Sequence, residues 1–213
     1  MKTIYRFFKL IISPSFLNSL LGKPTIKGEA YPWLTKPTIH YLESLNLEGK
    51  RVLEFGSGYS TEYFDRRGCH VISYEREKYW INFLKKKVSS RTQIRHFNDD
   101  SKDGNKVYFS DIKKSLSNEL FDILVVDVYP RPLTFEYYAS LVKDGGIIIF
   151  DNSDWYPVFF DGIKKSAGYF CIDFWGRPVG DVRYQCTSII YKTKFKELAP
   201  CFNAPIFSDK NRS

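Results

Sequence analysis

The chain has 213 residues, 43% hydrophobic and 26% charged, with a formal net charge of +8. That length supports a proper core, and the balance rules out a disordered or fibrous chain. The positive charge permits an anionic partner such as nucleic acid, a phosphorylated sugar or a lipid headgroup. Because Lys and Arg are scattered and no nucleic-acid module motif is present, nucleic acid is disfavoured. Cys69, Cys171, Cys186 and Cys201 stand far apart without C-x-x-C spacing, which argues against zinc and fits a reduced cytoplasmic compartment. Cys69 and Cys171 fall in strand-like runs, where cysteine packs as a small apolar residue. The 18 Phe and 15 Tyr predict an aromatic-rich cleft.

Residues 1–34 read as an N-terminal extension with helical stretches broken at Pro14, Pro24 and Pro32. Its first part is apolar but interrupted by Lys2, Arg6 and Lys9, so it is too short and too charged to span a bilayer. No small-residue cleavage site follows Leu20-Leu21-Gly22-Lys23 convincingly. Residues 1–22 instead suit an amphipathic helix, which either packs on the domain or lies peripherally on an anionic membrane surface. The main domain then runs over residues 35–199. Thr35-Lys36-Pro37 opens a helix to about Asn46, with Thr35 as cap, Pro tolerated in the first turn, and Ile39, Leu42 and Leu45 as its apolar stripe.

Strand, glycine turn and helix follow: Arg51 to Phe55, then Gly56-Ser57-Gly58, then a helix from about Ser60 to Arg67 with Ser60 or Thr61 as cap. His70 to Glu75 is a strand, Lys78 to Val88 an amphipathic helix, and Thr92 to Phe97 a strand. A polar loop over 98–109 leads to a short helix from Asp111 to Ser117. Phe121 to Asp127 and Gly145 to Asp151 are near-continuous apolar runs, the mark of central parallel strands buried on both faces. Helices are expected from Leu133 to Val142 and over 157–167. Tyr169 to Phe174 and Cys186 to Lys192 come with no helix between them, so they form an antiparallel hairpin at the sheet edge. The predicted fold is α/β: a Rossmann-like three-layer sandwich on a mostly parallel seven-stranded sheet ending in an antiparallel hairpin. Residues 200–213 are a polar tail.

A G-x-G-x-x-G dinucleotide turn would need a third glycine where Thr61 stands. What is present instead is an acidic residue two positions before the first glycine, in Glu54-Phe55-Gly56-Ser57-Gly58. Glu75 closes the next strand, where a ribose-binding carboxylate belongs. Asp127 and Asp151 end two further parallel strands, on the same edge as Gly56 and Glu75. His70 and His96 lie in or beside strands and read as packed histidines.

The acidic-glycine turn resembles motif I of the class I S-adenosylmethionine (SAM) methyltransferases. Overall layout is similar to a group of bacterial methyltransferase-like proteins of unassigned substrate, through Pro32-Trp33-Leu34, the glycine turn, Asp173-Phe174-Trp175-Gly176 and Thr187-Ser188. That resemblance spans roughly residues 31–193 and implies SAM as cofactor, held by Glu54, Gly56, Ser57, Gly58, Ser60, Thr61, Glu75 and Asp127. Glu54 would position the turn or the methionine moiety. Adenine contacts would come from the Asn98-Asp99-Asp100 stretch, with Asp100 as the nominated residue.

Asp127-Val128-Tyr129-Pro130-Arg131 and Asp151-Asn152-Ser153-Asp154-Trp155 look like the catechol and caffeoyl-CoA type of O-methyltransferase, which has an Asp after one strand and an Asp-Asn pair after the next around a divalent metal. Carried over, Asp127, Asp151 and Asn152 are the ligands for Mg²⁺. The sequence departs from that pattern: Tyr129 and Arg131 replace the second carboxylate and the lysine base. The resemblance implies methyl transfer to an oxygen of a small molecule or glycan, with Asp127 as base or positioning group and Tyr129 or His40 as weaker candidates. Arg131, Asn152 and Trp155 are the expected substrate contacts. A non-catalytic SAM-binding protein and an RNA methyltransferase are the competing readings.

Overall fold

The computed structural model describes residues 24–26, 28–97, 111–128, 131, 134–165 and 168–192. A two-residue hairpin, β1 (Thr25–Ile26) and β2 (Glu29–Ala30), opens the described chain. It is followed by α1 (Lys36–Glu43), β3 (Arg51–Phe55), α2 (Tyr59–Arg66), β4 (His70–Glu75), α3 (Lys78–Leu84) and β5 (Thr92–His96). A helix over 111–115, α4, leads to β6 (Phe121–Val126), α5 (Phe135–Ala139), β7 (Val142–Phe150), α6 (Pro157–Lys165), β8 (Tyr169–Gly176) and β9 (Gln185–Lys192).

The seven-stranded sheet has the order β5-β4-β3-β6-β7-β9-β8. Strands β3 to β7 pair in parallel, and β9 runs antiparallel between β7 and β8. Alternation along the central strands feeds two cores, because successive strand side chains point to opposite faces. Ile123, Val125, Ile147 and Ile149 pack on one face with Ile39 and Leu42 of α1 and Tyr63 and Phe64 of α2. Leu124, Val126, Ile148 and Phe150 pack on the other with Ile112, Tyr138 of α5, and Phe160 and Ile163 of α6. Every residue of β6 is buried, as its near-continuous apolar run requires, including Asp122, which is paired to Lys143 and the Arg51 N–H.

Several boundaries differ from expectation. Helix α1 stops at Glu43 rather than Asn46, where the Ser44 hydroxyl donates to the Tyr41 carbonyl (2.6 Å) and competes with the helical ladder. Strand β7 starts at Val142, not Gly145, and takes the last residue assigned to the helix before it. The pairing of β6 with β7 shifts register between Phe121 and Ile123, and the glycine pair serves that irregularity. Gly145 has φ +85°, and a Cβ on Gly146 would stand 2.7 Å from the Asp122 carbonyl oxygen. The part of the extension that is described, 24–34, is hairpin and loop rather than helix: Arg66 donates to the Ala30 carbonyl (2.7 Å), and Tyr31 packs on Tyr63. The amphipathic segment 1–22, the loop 98–109 and the tail 200–213 lie outside the described residues, as does Cys201. Among the described residues no helix is long and apolar enough to cross a membrane.

Two packing expectations are corrected. His70 and His96 are exposed rather than packed, because they are the first residue of β4 and the last of β5, where the sheet meets water. Cys171 is only half-buried, since β8 is an edge strand, whereas Cys69 is buried, donates to the Leu47 carbonyl, and has its thiol pushed up to about 12 by burial.

Candidate functional site

Parallel register builds the site. Phe55 pairs with Tyr74 and Val126 pairs with Phe150, so the residues just past these positions form a row on the C-terminal edge: Gly56, Glu75, Asp127 and Asp151. Backbone bonds continue the ladder into that row, from Gly56 N–H to Tyr74 O (2.9 Å), Asp127 N–H to Phe55 O (2.8 Å) and Asp151 N–H to Val126 O (3.2 Å).

The turn after β3 is tightly made. Gly56 has φ +91°, and a Cβ there would lie 2.1 Å from the Asp127 carbonyl oxygen. Only glycine lets these two loops touch. At Gly58, in contrast, an added Cβ would meet nothing within 4 Å, so the backbone is open to a ligand. Gly58 itself is the N-cap of α2, which corrects the expectation that Ser60 or Thr61 caps it. Those two hydroxyls instead donate to the Glu54 carboxylate, which also receives the Ser73 hydroxyl (2.8 Å). Thr61 Oγ1 additionally accepts the Gly58 N–H (3.0 Å). Glu54 is fully buried, and burial pushes it up to about 7 against the three hydroxyl donors. It is a strut inside the turn.

Glu75 clamps the same turn from the next strand. One carboxylate oxygen accepts the Ser57 N–H (2.6 Å), and the other accepts those of Arg76 (2.8 Å) and Glu77 (2.7 Å). Tyr59, directly after Gly58, packs edge-on against Trp33 and Trp80. The Pro32-Trp33-Leu34 entry thereby stands beside the glycine turn.

At the centre of the edge, Arg131 Nη2 donates to Asp127 Oδ1 (3.1 Å) and to Asn152 Oδ1 (3.4 Å), while Nη1 reaches the Tyr156 hydroxyl (3.4 Å). Arg131 is only 4% exposed, and its guanidinium carbon lies 5.4 Å from the ring centres of both Phe150 and Tyr156. Asp127 keeps 38% of its side chain open. Desolvation by the cleft wall raises its pKa, Arg131 opposes that, and Glu75 adds to it. Asp151 is buried and also raised, first by burial and then by Asp127. It accepts Thr187 Oγ1 (2.7 Å) and both its oxygens lie 3.4 Å from Gln185 Nε2. Asn152 adopts a left-handed backbone, φ 49°, which Asn tolerates better than most residues.

The structure thus brings together Glu54, Gly56, Ser57, Gly58, Ser60, Thr61 and Glu75 at the turn, and Asp127, Arg131 and Asn152 beside it. Trp155 lies on the following 3-10 turn, Ser153–Trp155, and is 60% exposed. Tyr129, Asp100 and its neighbours Asn98 and Asp99 lie outside the described residues. His40 sits on α1, where burial lowers its pKa. Sequence reasoning missed Ser73, Gln185 and the role of Thr187, whereas Tyr156 falls in the Trp155-Tyr156 loop expected to recognise substrate. In the sequence Thr187 stands only within the Thr187-Ser188 pair; in the structure its hydroxyl both donates to Asp151 (2.7 Å) and accepts the Thr35 N–H (3.2 Å).

The expected Mg²⁺ set does not fit this arrangement. Asp151 is turned to Thr187 and Gln185, and a guanidinium stands between Asp127 and Asn152. Among the described residues no group of three or more His, Cys, Asp or Glu side chains is gathered as a metal would need.

No protein-family model and no curated protein matches the sequence. Solved structures do match. The O-methyltransferase TomG from Streptomyces achromogenes, in complex with SAM, aligns at TM-score 0.56 and 14% identity over 90% of this chain and 96% of its own. The fold is that of the class I SAM-dependent methyltransferases. Cofactor-bound Rv0187 from MTB aligns at TM-score 0.56 and 14% identity, covering 89% of this chain and 95% of that one. The O-methyltransferase from Bacillus cereus, in complex with SAH, aligns at TM-score 0.54 and 16% identity over 85% and 82%. The antiparallel β9 inserted between β7 and β8 sets this sheet apart from a wholly parallel dinucleotide-binding one.

Proposed function

We propose that the protein is a SAM-dependent methyltransferase acting on an oxygen of a small molecule or glycan. The observation that carries this is the strand-edge row: a glycine turn open at Gly58, a carboxylate at Glu75 and a partly open acid at Asp127. The SAM- and SAH-bound neighbours share this fold and support the reading.

The open backbone at Gly58 fits the methionine end of SAM, with Glu54, Ser60 and Thr61 holding the turn rigid from behind. Glu75 accepts a ribose hydroxyl at the lone-pair site on Oε2 that its three amide donors leave free. Asp100 and its neighbours are the candidates for adenine. When bound, SAM would supply an electrophilic sulfonium methyl for the acceptor oxygen, the C–S electron pair leaving with sulfur. Asp127 receives the proton that the acceptor hydroxyl gives up. Its raised pKa brings a carboxylate closer to neutrality, where a general base works best. Arg131 and Asn152 orient the acceptor, and Trp155 covers it. Alignment of the two reactants is the larger part of the rate enhancement. Magnesium has no step here, because Arg131 already bridges two of its three expected ligands.

The test is transfer of labelled methyl from SAM to a panel of hydroxyl-bearing metabolites and nucleotide sugars. Label on an acceptor oxygen supports the proposal. SAM binding with no transfer to any acceptor favours the non-catalytic reading instead.

A further inference from the structure

We propose that Arg131 stands in for a divalent cation: its guanidinium fills the place between Asp127 and Asn152, and this protein operates without a metal. The cation replacement concerns only the side chains on the page; its consequence for catalysis rests on the methyltransferase reading.

The geometry is that of a bridging cation. A single nitrogen, Arg131 Nη2, faces Asp127 Oδ1 at 3.1 Å and Asn152 Oδ1 at 3.4 Å. Mg²⁺ in that place would need near-octahedral oxygen ligands at about 2.0–2.1 Å. A third protein oxygen would have to come from Asp151, whose carboxylate is engaged by Thr187 and Gln185 on β9. Arg131 is not a surface side chain that steps aside. It is 4% exposed and packs against the contacting rings of Phe150 and Tyr156, with the Tyr156 hydroxyl also within reach of Nη1. Its charge is permanent, so it repels a divalent ion at every working pH. Nε is buried and has no hydrogen-bond partner among the described residues, so the group retains donor capacity beyond Asp127 and Asn152.

The chemical consequence follows from what a guanidinium can do. It offers directed N–H donors and one positive charge, whereas a metal offers exchangeable coordination sites and two. Arg131 therefore holds Asp127 ionised and in place and stabilises negative charge on the acceptor oxygen by hydrogen bonding, not by coordination.

The experiment is a titration of the full-length protein with Mn²⁺, followed by the loss of the free-ion electron paramagnetic resonance signal, alongside SAM calorimetry. The wild type is expected to show no saturable Mn²⁺ site up to millimolar ion. Arg131→Met is expected to gain one, held by the freed Asp127 and Asn152 oxygens with water completing the shell in place of Asp151, at least about ten-fold tighter than any wild-type binding and lost again when Asp127→Asn is added. A stoichiometric wild-type site that disappears in Asp127→Asn overturns the proposal. A folded, SAM-binding Arg131→Met protein that takes up no Mn²⁺ overturns it as well. Should Arg131→Met fail to fold, the wild-type titration decides alone. Loss of SAM binding in the wild type would sink the methyltransferase reading while leaving the Mn²⁺ result to stand or fall by itself.

Discussion

Gly56 and Gly58 are two residues apart, and the structure assigns them opposite roles. In Gly56→Ala the new Cβ would stand 2.1 Å from the Asp127 carbonyl oxygen and 2.8 Å from its carbon, on a backbone at φ +91°. A non-glycine residue in the left-handed region costs about 1–2 kcal/mol, and the collision with main chain adds to it, so a loss of about 3 kcal/mol is expected. For a chain of this size that lowers Tm by roughly 6–12 °C. In Gly58→Ala the Cβ meets nothing within 4 Å, and the backbone, at φ −174°, is extended. Its Tm should stay within about 2 °C of wild type, a change of under about 1 kcal/mol. SAM affinity should nevertheless fall at least about ten-fold, because the methyl occupies the space a ligand needs. Thermal melts followed by circular dichroism, with SAM calorimetry on each variant, read both effects. A Gly56→Ala protein that melts with wild type, or a Gly58→Ala protein that binds SAM unimpaired, would refute the assignment.

Three other perturbations test separate parts of the site. Asp127→Asn should leave SAM affinity nearly unchanged and lower the methyl-transfer rate by about 10²–10⁴-fold, the usual share of general base catalysis; equal turnover in single-turnover assays would remove Asp127 from the chemistry. Glu54 ionises near 4.5 when unfolded and at about 7 in the folded protein, so between those values the unfolded chain releases a proton that the folded one keeps. Its contribution to stability is therefore fully present below pH 4.5, lost as pH rises toward 7, and of order 3 kcal/mol in total. Denaturant melts of wild type against Glu54→Gln from pH 5 to pH 8 should show that difference, and parallel pH profiles would contradict it. Thr187→Val leaves buried Asp151 without its 2.7 Å donor and should cost about 1–3 kcal/mol in denaturant unfolding, with Thr187→Ser restoring most of it; a Val variant of wild-type stability would show that Asp151 does not depend on that hydroxyl.

How much was legible in the sequence depends on how local each determinant is. Strands β3 and β4 have the expected bounds because short, mostly apolar runs end at glycine or charge, Gly56 after β3 and Arg76 after β4. The hairpin β8–β9 was legible because two strand patterns follow each other without a helical one between them. The start of β7 was not, since Val142 and Lys143 carry a helix-compatible pattern and only the register irregularity against β6 draws them into the sheet. The same division holds at the site. Gly56, Glu75, Asp127 and Asp151 were found as strand-end residues of parallel strands. The setting of Arg131 was invisible, because the rings it packs against come from Phe150 at the end of β7 and Tyr156 after it, beyond the next helix. Thr187 escaped for the same reason: its partner Asp151 belongs to the neighbouring strand's end.

Calorimetric titration of the full-length protein with SAM bears on the whole reading of the strand edge. Saturable one-to-one binding in the micromolar range, competed by S-adenosylhomocysteine and weakened in Gly58→Ala, is the predicted result. No heat of binding from SAM at millimolar concentration, with the protein folded by circular dichroism, would contradict it.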